Sequence, residues 1–126
     1  MEIQISNVSS TGNIRLTLLL GVQPNYSDYT IINLFLPEGR WTSGTASAFY
    51  QQEGRFSPGD FFDNKGGTLT VSVQDQKVMV YLDHTLSFSF NAPDLQMGSV
   101  GFGIGSVPGE TSTIRAEFDN LQIRVP

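Results

Sequence analysis

Polar and apolar residues alternate at period two along most of this chain, and no long window carries apolar residues at the three- and four-residue spacing of an amphipathic helix. The pattern predicts strands. "NIRLTLLLGV" sets Ile14, Leu16, Leu18, Leu20 and Val22 on one face, with Arg15 and Thr17 on the other. "YTIINLFLP" sets Ile32, Leu34 and Leu36 against Ile31, Asn33 and Phe35, apolar enough on both faces to predict a central strand. "PEGRW" predicts a hairpin turn into a strand "TASAFYQQ", followed by a loop rich in Gly, Ser, Pro and Asp from Glu53 to Gly67. In "TLTVSVQDQKVMVYLD", Leu69, Val71 and Val73 face inward, Asp75 and Gln76 turn, and Val78, Val80 and Leu82 return. "LSFSF" adds a strand with Leu86, Phe88 and Phe90 inward and Ser87 and Ser89 outward.

"SVGFGIGSV", Ser99 to Val107, raises a question of class, because alternating glycines suit either a phosphate cradle or a strand. A dinucleotide fingerprint needs Gly-x-Gly-x-x-Gly between a strand and a helix, and Ser106 stands where the third Gly would be. Strand logic explains the stretch better: Val100, Phe102 and Ile104 point inward, and Gly101, Gly103 and Gly105 share the other face. Close approach of a neighbouring segment or a ligand is the usual reason for glycine in a strand. In the closing "STIRAEFDNLQIRV", Ile114, Ala116 and Phe118 have one parity and Leu121, Ile123 and Val125 the other. A one-residue bulge at Asp119 and Asn120 would restore a single dry face. Strands of this number, punctuated by turns and without a helix, predict an all-β fold of two antiparallel sheets packed as a sandwich.

Composition removes several function classes. The 126 residues fit one domain, 1–126, and 39% hydrophobic residues with nine Phe supply enough apolar surface to offset the entropy of ordering. Seven Lys and Arg against twelve Asp and Glu give a formal net charge of -5, the wrong sign for counterion release, so no nucleic-acid partner is expected. With no Cys there is neither a disulfide framework nor a thiolate site. "LTLLLGV" is too short to cross a bilayer, and "MEIQISNVSS" lacks the basic-then-apolar order of a signal peptide, so no membrane partner is expected. Asn7 and Asn25 open Asn-x-Ser sequons, relevant to an exported eukaryotic protein.

From about Thr68 to Val125 the chain resembles the concanavalin A-like lectin/glucanase superfamily, especially its laminin-G-like and sugar-binding jelly rolls attached to bacterial extracellular enzymes. "GTLTVSVQDQKVMVYLDH" is similar to the family's tight-turned hairpin, "GSVGFGIGS" to its Gly-rich penultimate strand, and "AEFDNLQI" to its closing Phe-Asp-Asn strand. "NYSDYTIINLFLPEGRW" is more loosely similar to the aromatic strand and turn beside the family's concave face. The resemblance implies a jelly roll whose concave sheet and end loops serve, in different members, glycans, protein partners or hydrolysis. It also implies an extracellular or cell-surface setting. Members begin with a strand paired beside the last one, and no such strand is read in the opening residues, so Met1 is expected to lie inside a larger protein.

Candidate chemistry divides between enzyme and binding module. The hydrolytic members place a nucleophile and a general acid in one cleft. "EFDNLQ" offers Glu117 and Asp119, but on the closing strand, with Gln122 where a third carboxylate would stand, so a glycosidase is not expected. His84, the one histidine, sits in the "LDHT" turn, and no Gly-x-Ser-x-Gly elbow supports a Ser-His-Asp arrangement. Asp28, Asp60, Asp63 and Asn64 are loop oxygen ligands from which a structural calcium site could be built, though loops are ordinarily this polar. No other cofactor is indicated. Sugar binding asks for a planar aromatic to stack on the ring face, with amides and charged groups for the hydroxyls. Trp41 is the leading platform, with Arg40 beside it and Tyr26, Tyr29, Tyr50, Gln52 and Arg55 nearby; core packing is the competing role for Trp41, and Tyr26 in "QPNYSD" is the better candidate for exposure. The leading expectation is a non-catalytic carbohydrate-binding module of a larger secreted or surface protein, its partner a glycan or polysaccharide. The alternative is a structural or protein-interaction sandwich that docks a neighbouring domain or another chain.

Overall fold

Ten strands among the described residues form two antiparallel five-stranded sheets. The computed structural model describes residues 2–10, 14–36, 38–58, 67–106 and 114–122, with side chains described within 14–36, 38–58 and 67–105. The strands are β1 (Glu2–Ser10), β2 (Ile14–Val22), β3 (Thr30–Leu36), β4 (Arg40–Thr45), β5 (Ala48–Arg55), β6 (Gly67–Gln74), β7 (Lys77–Leu82), β8 (Thr85–Asn91), β9 (Ser99–Ser106) and β10 (Ile114–Gln122). One sheet runs β10-β1-β6-β7-β8 and the other β5-β4-β3-β2-β9. Period-two patterning gives each sheet one apolar face, and the two faces close on each other as a β-sandwich. Ile14, Leu16, Leu18, Ile32, Leu34 and Leu36 enter the core from one layer, and Leu69, Val71, Val78, Val80, Phe88 and Phe90 from the other.

Both type I′ turns that the hairpin pattern requires are present: Asp75 and Gln76, then Asp83 and His84, hold φ between 50° and 68°. The parity change in the last strand is also met by a bulge. Between the pairs Gln4↔Asp119 and Glu2↔Gln122, one residue of β1, Ile3, faces two of β10, Asn120 and Leu121.

Four expectations are corrected. Phe102, expected inward with Val100 and Ile104, is 37% exposed on β9, at a sheet edge among the described residues. Residues 2–10 form β1, between β10 and β6, so the strand beside the last one, which "MEIQISNVSS" did not reveal, is in place. "TASAFYQQ" is not one strand: Arg40–Thr45 is a separate strand, Ala46 and Ser47 turn, and β5 continues through Arg55 into the expected loop. The turn lacks Gly, Pro and Asn, and its one signal is Gly44, whose outer side is covered by the backbone of Ala48 and Phe49. Leu86 is 53% exposed rather than inward. The register between β7 and β8 shifts between Val80↔Phe88 and Tyr81↔Leu86, and the extra residue, Ser87, changes the parity.

The central position of β3 explains its two apolar faces. On the outer side Asn33 is buried between β2 and β4; its Oδ1 accepts from Thr17 Oγ1 at 2.8 Å and its Nδ2 donates to Thr42 Oγ1 at 3.3 Å. This ladder satisfies the amide that the strand buries. Beside it, Gly101, Gly103 and Gly105 pair with Leu19, Thr17 and Arg15. A Cβ on Gly103 would meet nothing within 4 Å, and on the other two nothing nearer than 3.8 Å. Among the described residues, therefore, no close approach demands these glycines. Gly103→Ala is expected to keep the denaturation midpoint or raise stability by about 0.4–1 kcal/mol through the unfolded chain. A loss above about 1 kcal/mol in urea unfolding would place a neighbour on this face.

Candidate functional site

Antiparallel connections bring distant loops to one end of the sandwich. The chain leaves β2 at Val22, re-enters at Thr30, leaves β4 at Thr45 and leaves β8 at Asn91, and these ends lie together around a polar groove. A short 3-10 turn, Pro24–Tyr26, forms the first loop. It is closed by Gln23 N–H to Asp28 O at 3.0 Å and Tyr26 N–H to Gln23 O at 3.0 Å. Gln23 Nε2 donates to Gly21 O and to Met97 O, each at 2.9 Å, pinning this loop to the β8–β9 connection. Gln52 Nε2 donates to Asn91 O at 2.8 Å and ties β5 to the end of β8.

The groove consists of two clefts. One is lined by Gln23, Asp28, Tyr29 and Gln96, the other by Ser43, Gln51, Gln52, Phe90 and Asn91, and both share Thr30, Thr45 and Asp94. Their cavity volumes are about 10 and 50 Å³. At about 10–15 Å³ per water-sized group, they are the size of ligand arms, and both open to solvent. Amides, hydroxyls and carboxylates are prominent in the lining, and among the described residues no Lys, Arg or His borders either cleft. Asp28 Oδ1 already accepts from the Tyr29 N–H at 2.9 Å. Ser43 is 1% exposed and its Oγ has no hydrogen-bond partner among the described residues. A buried hydroxyl left so costs about 1–3 kcal/mol.

The seven candidate residues separate into three places. Tyr29 and Gln52 line the groove; Tyr26, 68% exposed, rises from the turn between Gln23 and Asp28; Tyr50, also exposed, adjoins Gln51 on β5. Arg40 and Arg55 lie at the far end of the same sheet, opposite Phe35 and five residues along β3 from Thr30, about 16 Å at the rise of a strand. There Arg40 stacks over the Phe35 ring at 4.1 Å, and Glu38 Oε1 is 3.3 Å from Arg40 Nε and 3.6 Å from Arg55 Nη1. Trp41 is in the core. Its ring stacks on Phe88 at 4.7 Å and Phe90 at 5.5 Å, so the packing role displaces the surface-platform role considered for it.

The remaining chemistry is placed as follows. Asp60, Asp63 and Asn64 lie outside the described residues, as do the side chains of Glu117 and Asp119, whose backbones pair with Ser6 and Gln4. Among the described residues no group of three or more His, Cys, Asp or Glu is placed to hold a metal ion. His84 is an exposed turn residue. Sequence reasoning missed Ser43, Asn91, Asp94 and Gln96. A signal for Asn91 and Asp94 was available in "NAPD", a polar break after an apolar strand that leaves the sheet at the same end as "QPNYSD"; Ser43 and Gln96 had none. Neither a family model nor a curated protein matches this chain.

Proposed function

We propose that this protein is a non-catalytic carbohydrate-binding module, a jelly-roll sandwich of concanavalin A-like type in a larger secreted or surface protein, and that the end groove receives the saccharide. One observation carries the proposal: two contiguous clefts offer amide, hydroxyl and carboxylate groups around Thr30, Thr45 and Asp94, with Tyr29 in the wall. Those are the partners that sugar hydroxyls need, and an aromatic wall takes the apolar C–H face. Tyr26 adds a second aromatic at the rim, held at φ 55° where a bulky side chain rarely sits. A glycan array on the purified protein is expected to give a hit that Tyr29→Ala or Asp94→Ala weakens roughly tenfold, equivalent to about 1.4 kcal/mol. Circular dichroism should be unchanged in both variants. A silent array with folded protein overturns the proposal.

A second reading, docking of another domain or chain, draws on β5. This strand is at a sheet edge among the described residues and exposes Phe49 and Tyr50 at 47% and 64%. Phe49→Ser with Tyr50→Ser would abolish that docking and leave saccharide binding at the groove intact.

A further inference from the structure

The two clefts differ in one respect that bears on ligand chemistry. The second is the larger, and its wall includes Ser43, a hydroxyl buried without a partner, together with Gln52, Asn91 and Asp94. Ser43 lines this cleft beside Phe90 and Ala92, and on its other side β4's inner face continues into the apolar core around Trp41. A volume of about 50 Å³ suits a hydroxymethyl or hydroxyl arm. The charge of the arm is also restricted. Asp94 borders both clefts, Asp28 borders the first, and among the described residues no cationic side chain borders either. Arg40 and Arg55 are engaged by Glu38 at the far end of this sheet, and Arg15 pairs with Phe35 at that same end.

We infer that the Ser43–Asp94 cleft is a subsite for an uncharged hydroxyl-bearing arm, so that the module takes neutral hexoses and rejects the corresponding hexuronic acids. This rests on the carbohydrate-binding reading and adds the ligand class. The two sugar types differ at one exocyclic carbon: a hydroxymethyl group donates to Asp94 and reaches toward Ser43, whereas a carboxylate brings a second negative charge to Asp94 with no cation to offset it.

The test titrates the protein calorimetrically with matched neutral and uronic oligosaccharides, galactan with galacturonan fragments and mannan with mannuronan fragments, at low salt. The expected result is binding of at least one neutral member, with its uronic counterpart weaker by about tenfold or more. Asp94→Asn should narrow that gap by recovering the uronic ligand. Ser43→Ala should weaken the neutral ligand while the unfolding midpoint stays level or rises, because the substitution removes an unpartnered buried hydroxyl; a purely structural serine would not give that pair of readouts. Equal affinity for both members of a bound pair overturns the charge selection and leaves the carbohydrate-binding reading standing. Unchanged affinity of the neutral ligand in Ser43→Ala overturns the subsite. Absence of binding to any saccharide overturns the reading itself, and the subsite with it.

Discussion

Trp41→Ala is expected to lower the free energy of unfolding by about 3–5 kcal/mol, read as a lower midpoint in urea. The indole is not a surface feature that the fold can lose. It lies 5° from parallel with Phe88 and 22° from parallel with Phe90, bridging one sheet to the other. Across the hairpin it fills the space above Gly54: a Cβ there would stand 2.6 Å from Trp41 Nε1, so β5 keeps a glycine where β4 places its largest side chain. Removing the ring leaves a cavity between two stacked aromatics and an uncovered strand edge. The loss is a large share of the roughly 5–15 kcal/mol that holds an ordinary domain folded. Because Trp41 is the one tryptophan in the chain, its fluorescence provides a second check: the native protein should emit at short wavelength and resist acrylamide quenching, and both properties should disappear on unfolding. A loss below about 1 kcal/mol, or ready quenching of the native indole, would return Trp41 to the surface and revive it as a ligand platform.

This result bears on how any binding experiment is interpreted. Saccharide binding lost in Trp41→Ala would report a damaged sandwich, whereas loss in Tyr29→Ala, on a side chain that lines the groove, would report the site. The sequence alone could not separate the two aromatics. Both follow turn-like stretches, and what buries Trp41 is its parity on β4, a strand that alternation did not resolve from β5 because no Gly, Pro or Asn marks the turn at Ala46 and Ser47.

Where alternation was clean and turns were marked, the sequence was sufficient. β2, β3 and the β6–β7 hairpin follow their apolar periods, and the glycines of β9 fall on one face as their spacing requires. Leu86 shows how that logic fails: one inserted residue, Ser87, inverts parity within a strand of seven. β1 failed differently. "EIQISNVSS" has three apolar residues, Ile3 and Ile5 on one parity and Val8 on the other, and its role as a strand comes from lying between β10 and β6. The groove was half legible. Of the residues chosen by type near one aromatic stretch, Tyr29 and Gln52 line the clefts, Tyr26 and Tyr50 are exposed and line neither, and Arg40 and Arg55 lie at the other end, because adjacency in sequence along a strand becomes distance in space. Ser43 was invisible, since its residue type is not unusual where it occurs and only the joining of three loops gives it a common cleft with Asp94.

Gly21→Ala should cost about 2–5 kcal/mol and disrupt the groove at the same time, the larger effect coming from a residue that contacts no ligand by side chain. Gly21 holds φ at 62°, the left-handed region, where the register between β2 and β9 slips. An alanine there costs about 1–2 kcal/mol in backbone strain. Its methyl group would also collide with the carbonyl oxygen of Gln96, a rigid backbone atom, adding the roughly 1–3 kcal/mol of an overpacked site. The backbone can relieve that collision only by moving the β8–β9 connection outward. That connection carries Asp94 and Gln96 into the clefts and is pinned through Gln23 to Gly21 O and Met97 O. The expected signature is therefore a joint fall in urea midpoint and in saccharide affinity, with faster amide exchange from Asp94 to Gly98 than in the parent protein. Gly103→Ala, on the open face of β9, should show neither change. If Gly21→Ala instead kept full stability, the bulge in β2 would not be the device that holds the two loops together, and the groove would have to owe its shape to the Gln52 bridge at its other end.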